Sequence, residues 1–146
     1  MRAAIATILL AALLVPIAAQ SQDRLAQRDV SASAYYSLQV DGREIARFTA
    51  VSEAVGRSGP TMTLTRDRAP APALEAWIAE SGGNPTAARK SGSLVMYDSD
   101  NKPVARYEFD SAWLSGVDDG SSRAATRTTP TQTVTISYER MQRIAQ

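Results

Sequence analysis

Glu108 and Asp110 stand two residues apart with Arg106 just before them, a spacing that puts all three on one face of an extended strand. Two carboxylates so placed could share acid and base work on a substrate. Beside an arginine, however, strand carboxylates ordinarily form a solvated ion cluster, and nothing adjacent in the sequence supplies a pocket that would raise a pKa. Asp98-Ser99-Asp100-Asn101 spaces its oxygens like the opening of a calcium loop, but Lys102 occupies the next ligand position and Pro103 the place that needs glycine. A hairpin turn accounts for these residues. Lys90-Ser91 looks like the end of a phosphate loop, yet Asn84 and Arg89 stand where glycines must let the backbone approach a phosphate. Asp118-Asp119-Gly120 reads as a turn. Trp77, Tyr107, Phe109 and Trp113 could line a sugar groove, but their spacing on apolar faces predicts core packing instead. Histidine and cysteine are absent, so imidazole triads and thiolate chemistry lose their parts. The expectation is a chain with no catalytic residue, no cofactor site and no metal site.

The elements that would position these residues are strands. Residues 94–98 and 104–110 form a hairpin around the polar turn 99–103; Ala105, Tyr107 and Phe109 alternate with Arg106, Glu108 and Asp110, the period of a half-buried strand. Residues 34–40 alternate Tyr36, Leu38 and Val40 inward and end at Asp41-Gly42, a pair suited to a two-residue hairpin because both turn positions need positive φ. The return strand is read over 43–51, followed by a loop over 52–60 and a short strand over 61–66 with Met62 and Leu64 inward. Pro72 at a first-turn position, Leu74, Trp77 and Ile78 on one face, and Gly82 at the end predict one helix. It is too short to be stable alone and must pack its tryptophan on the sheet. Residues 81–92 and 115–130 read as loops, and Val134, Ile136 and Tyr138 mark a last strand. Six or more strands with one short α-helix predict a mainly β fold, a small β-barrel or sandwich.

The first 19 residues read as a leader. Arg2 is followed by an apolar run to Val15 and by small residues before Gln20, the pattern of a secretory signal cleaved after Ala19 or Ser21. Residues 20–33 are polar and read as a flexible arm or a short helical turn, leaving 34–146 as the barrel domain. Of 16 basic and 15 acidic residues the leader carries one, Arg2, so the processed chain has 15 of each and a net charge of zero. A neutral surface argues against nucleic acid or an anionic membrane as partner and leaves little self-repulsion to oppose association. With no cysteine to form disulfides, an exported chain must rely on its core or on oligomerisation.

Four segments in order resemble the contractile-phage tail tube protein family, which shares its fold with the haemolysin-coregulated tube protein of type VI secretion. They are Leu38-Gln39-Val40-Asp41-Gly42 with Phe48-Thr49-Ala50-Val51-Ser52; Met62-Thr63-Leu64-Thr65-Arg66 with Leu74 and Trp77; residues 103–113, running from Pro103 through Arg106-Tyr107-Glu108-Phe109 to Trp113; and Thr133-Val134-Thr135-Ile136-Ser137-Tyr138-Glu139. The resemblance implies a β-barrel flanked by a helix that assembles into homomeric six-fold rings stacked as a hollow tube, without catalysis. Its implied partners are other copies of itself and components of a phage-tail-like or injection machine. The connection between the second and third strands, residues 53–60, reads as shorter than the long hairpin usual in that family. The leader adds export to the periplasm or beyond, with no membrane anchor after cleavage. A monomeric periplasmic or extracellular binding module built on the same barrel, using the 115–130 loop, is the alternative.

Overall fold

The structure, a computed structural model, describes residues 24–57, 59–119 and 130–144. In order the elements are α1 (Gln27–Ala32), β1 (Tyr35–Val40), β2 (Arg43–Phe48), β3 (Ala50–Gly56), β4 (Gly59–Asp67), α2 (Pro72–Gly83), β5 (Lys90–Tyr97), β6 (Pro103–Asp118), β7 (Thr131–Ser137) and β8 (Arg140–Ile144). The fold is mainly β, as expected. All strands pair antiparallel in the order β2-β1-β5-β6-β7-β4-β3, with β8 on the other side of β6, and the sheet curls without closing into a barrel.

Alternation explains most of the core. Tyr36, Leu38, Phe48, Met62, Leu64, Leu94, Met96, Tyr107, Phe109, Val134 and Ile136 turn into one cluster, and α2 adds Leu74 and Trp77. The Trp77 indole N–H donates to the Ala88 carbonyl at 2.8 Å, so the largest buried side chain also has its polar atom satisfied. Asp41 and Gly42 both have positive φ, 55° and 76°, the two-residue turn that their types predict. Gly92 has a different reason: a Cβ there would lie 2.3 Å from the Gln39 carbonyl and 2.8 Å from the Phe109 ring, so β1, β5 and β6 close only over a hydrogen. Arg66, buried at the end of β4, donates from Nε to Gln132 Oε1 and from Nη2 to the Ala69 carbonyl, each at 2.9 Å.

The structure trims the loop read over 81–92 to residues 84–89, since α2 runs to Gly83 and β5 begins at Lys90, and it corrects the sequence reading in five further places. The strand read over 43–51 breaks at Thr49, whose amide donates to the Thr65 carbonyl at 2.8 Å, so the chain leaves β1 and joins β4. The loop read over 52–60 is the hairpin of β3 and β4, paired from Ala50↔Thr65 to Gly56↔Gly59. The sequence carries no sign of it because β3 is an edge strand of small residues, largely exposed, with no apolar alternation. The loop over 115–130 begins too early, since β6 runs to Asp118; residues 120–129 of that loop lie outside the described residues. β8, Arg-Met-Gln-Arg-Ile, is an additional strand whose one deeply buried residue is Met141. Finally, Trp113 is not a core residue. Ser111 has φ 51°, and three steps along β6 (Phe109 to Ala112) face two along β5 (Lys90 to Gly92). This β-bulge slips the alternation by one, so that Ala112 and Leu114 turn inward while Trp113 turns outward.

The same bulge divides β6 between two halves of the sheet. Its first part pairs with β5 and β8, from Arg106↔Ile144 to Asp110↔Arg140, and its last part with β7, from Trp113↔Ser137 to Asp118↔Thr133. The arm 24–33 carries the short helix α1 and packs Leu25 and Val30 against the core.

Candidate assembly surface

The residues that suggested chemistry are separated by the fold and held by local partners. Arg106 lies 3.7 Å from Glu108 and also donates from Nη2 to Ser93 Oγ at 2.9 Å. The Asp110 carboxylate accepts from Ser91 Oγ at 3.0 Å on the exposed face. Asp98 Oδ1 accepts the amides of Asp100 and Lys102, each at 2.9 Å, and so engages the carboxylate in building the turn, with Asn101 at φ 60°. Lys90 pairs with Glu80 at 3.3 Å, and Asp119 accepts from Gln132 Nε2 at 3.0 Å. Among the described residues no group of three or more acidic, histidine or cysteine side chains is arranged to hold a metal ion, and no helix is long and apolar enough to cross a membrane. Outward-turned Trp113 carries the Arg89 guanidinium 4.6 Å from its ring centre, and Arg89 in turn pairs with Glu139 at 2.5 Å.

The least exposed ion pair among the described residues joins the N-terminal arm to the sheet. Asp29, on α1 and 4% exposed, accepts from the Tyr107 hydroxyl at 2.5 Å and from Arg143 Nε at 2.9 Å. The same Tyr107 oxygen accepts the Ala26 amide at 2.9 Å, and the Tyr36 hydroxyl donates to the Val30 carbonyl at 3.1 Å. Burial works to raise the Asp29 pKa, but the hydrogen bonds from Arg143 and Tyr107 and the positive charges of Arg143 and Arg28 outweigh it and hold the carboxyl below its usual range. Burial, then the hydrogen bond to Asp29, pushes the Tyr107 hydroxyl up. On the other side of the arm Glu53, in β3, accepts the Leu25 amide through Oε1 and the Tyr138 hydroxyl through Oε2, the latter at 3.1 Å. Burial raises its pKa against those bonds. None of this was legible in the sequence, because Asp29 and Arg143 are 114 residues apart and belong to no shared motif.

What the fold exposes is strand edge. The sheet ends at β2 and β3, neither of which has a second strand partner among the described residues. On β3, Ala50, Ser52, Ala54 and Val55 are exposed, and Val55, at 62%, is the more exposed of the two large apolar side chains left in solvent among the described residues. Between β3 and the arm lies a groove of about 520 Å³, walled by Arg24, Leu25, Gln27 and Val30 on one side and by residues 51–55 on the other. A second concavity of about 340 Å³ shares Arg24, Glu53 and Val55 with it and continues past Pro60 to Tyr138, Arg140 and Met141. The outward face of the same sheet is made of small and hydroxyl residues in register: Ala50-Thr65-Thr133, Ser52-Thr63-Thr135 and Ala54-Thr61-Ser137. Neighbouring hydroxyls bond across it, Thr65 to Thr133 at 3.3 Å and Ser137 to Ser115 at 2.7 Å. Such a site can pair backbone and bury apolar surface; it holds no converging reactive groups.

Comparison with known proteins agrees with this geometry. No curated protein sequence matches the chain significantly. Among solved structures, Hcp1 from Flavobacterium johnsoniae superposes with a TM-score of 0.55 at 19% identity, over 74% of this chain and 93% of that one. A chain of the sheath-tube complex of the extracellular contractile injection system PVC, in its extended state, gives 0.59 at 15% identity, over 84% of this chain and 100% of its own. A chain of the anti-feeding prophage tube-terminating cap gives 0.60 at 16% identity, over 89% and 100%. At these identities the likeness is one of fold. The model of the T4-like virus tail tube protein gp19 family matches residues 54–142, more than half of the sequence, and this chain therefore belongs to that family.

Proposed function

We propose that this tail-tube-like structural protein is exported, performs no catalysis, and assembles into homomeric rings or tubes by pairing strand edges between copies. The observation that carries the reading is the open sheet: a curled eight-stranded sheet whose end strands β2 and β3 are each paired on one side only offers two rows of backbone donors and acceptors, and a ring of copies would satisfy them. Family membership supports a structural role, and a zero net charge after loss of the leader removes a barrier to close packing of identical subunits. Export rests on residues 1–19. Other components of a phage-tail-like or injection machine are the partners such a tube would meet.

Light scattering and negative-stain microscopy of the chain purified after export test the assembly: rings or tubes are expected, and a particle of one-subunit mass at high concentration would overturn it. Sequencing the N-terminus of the exported chain tests processing, with Gln20 or Gln22 expected as the first residue. An intact Met1 on protein retained in the cytoplasm would overturn export.

A further inference from the structure

We infer that the groove between the N-terminal arm and β3 is the docking site for a second copy of this chain, and that Asp29 is the positioning residue that builds it. This inference rests on the assembly reading above and specifies where on the subunit it happens.

One wall of the groove is the free edge of the sheet, with Val51 and the protruding Val55; the other is the arm, with Leu25 and Val30. An extended segment entering there can pair its backbone with β3 while seating apolar side chains between the two walls, the usual mode of strand addition. The second wall exists only because the arm is pinned. A six-residue helix has no stability of its own. It is held by Asp29 on Tyr107 and Arg143 at one end and by Glu53 on the Leu25 amide at the other. A second copy is the occupant because the groove is continuous with the open sheet edge of a tube-family subunit. The groove is also near neutral, since Arg24 faces Glu53 across it, and so matches a chain of zero net charge without steering toward any strongly charged partner.

Three forms of the exported chain test this by light scattering across a concentration series, with amide hydrogen exchange on residues 25–33. Val55→Asp alters only an exposed side chain, so it leaves the fold intact; the concentration at half assembly is expected to rise about thirtyfold or more, the loss typical of an interface hot spot. Asp29→Asn is expected to speed exchange in the arm and to raise that concentration about tenfold; should it fail to fold, Tyr107→Phe loosens the same anchor more mildly. Rings that form equally well with Val55→Asp would overturn the docking site while leaving ring formation by other edges in place. An arm freed by Asp29→Asn or by Tyr107→Phe with undiminished assembly would overturn the positioning role. A wild-type chain that stays single would remove the inference and the assembly reading together.

Discussion

Residues 106–108 of β6 carry two charged arrangements on opposite faces of one strand, and they differ in almost every respect that decides energy. Arg106 and Glu108 meet at 3.7 Å with their side chains 38% and 53% exposed. Through Tyr107, the residue between them, β6 holds Asp29, whose side chain is 6% exposed, with Arg143 at 2.9 Å. Water screens the first pair and competes for its hydrogen bonds, so the contact is worth little. In the second, Asp29 has lost its water while Arg143 keeps about a third of its side chain in solvent, and the carboxylate depends on its partners to remain charged there. Prominence in the sequence is therefore no guide to energy: the conspicuous trio on the strand is superficial, and the consequential one is assembled from α1, β6 and β8.

Mutations can break this contrast. The largest effect is expected from Asp29→Ala, which leaves Arg143 and the Tyr107 hydroxyl without their shared acceptor; a loss of about 3 kcal/mol in urea unfolding follows the usual penalty for breaking a buried pair, somewhat reduced because Arg143 is partly exposed. Tyr107→Phe keeps the ring and removes one hydroxyl that serves both Ala26 and Asp29, so about 1.5 kcal/mol is expected by the same measurement. Glu53→Gln removes a desolvated charge but keeps one acceptor oxygen, for the Leu25 amide, and meets the Tyr138 hydroxyl with an amide donor, so stability at pH 7 should rise by less than about 0.5 kcal/mol. Glu108→Gln should change stability by less than about 0.5 kcal/mol and, in high salt, not at all.

Titration sharpens the contrast further, because the two carboxylates that hold the arm are shifted in opposite directions. Asp29 has a folded pKa below its ordinary 3.8, so its stabilisation is complete above that value and is lost as pH falls through the folded pKa. Glu53 has a folded pKa above its ordinary 4.5, so the folded state holds its proton more tightly; the relative stability this gives is full below 4.5 and is lost as pH rises through the folded pKa. Thermal melts from pH 2 to 7 should therefore flatten on the acid side in Asp29→Asn and above pH 4.5 in Glu53→Gln, and a melt series in which the two variants flatten the same limb would refute the assignment.

How far the fold could be read from the chain followed how much apolar alternation each strand carries. Ala105-Tyr107-Phe109, Met62-Leu64 and Val134-Ile136 announce their buried faces, and Trp77 announces the helix that covers them. β3 announces nothing because an edge strand facing solvent on most of its length has no need of large side chains. A period of two carried through Ser111 predicts Trp113 in the core, but the left-handed backbone conformation of Ser111 resets that period. The absence of imidazole and thiol is plain from composition, whereas the arm-built groove is not, since its walls come from residues 24–30 and 51–55 and its anchor from residues 107 and 143.

The bulge at Ser111 has a mechanical meaning as well. Because β6 is one strand of 16 residues shared by both halves of the sheet, a load that would shear one half past the other must stretch covalent backbone instead of sliding side chains over one another. A subunit subjected to sudden axial thrust would then transmit it whole, with rupture favoured first at the hydrogen-bonded margins and last along that spine.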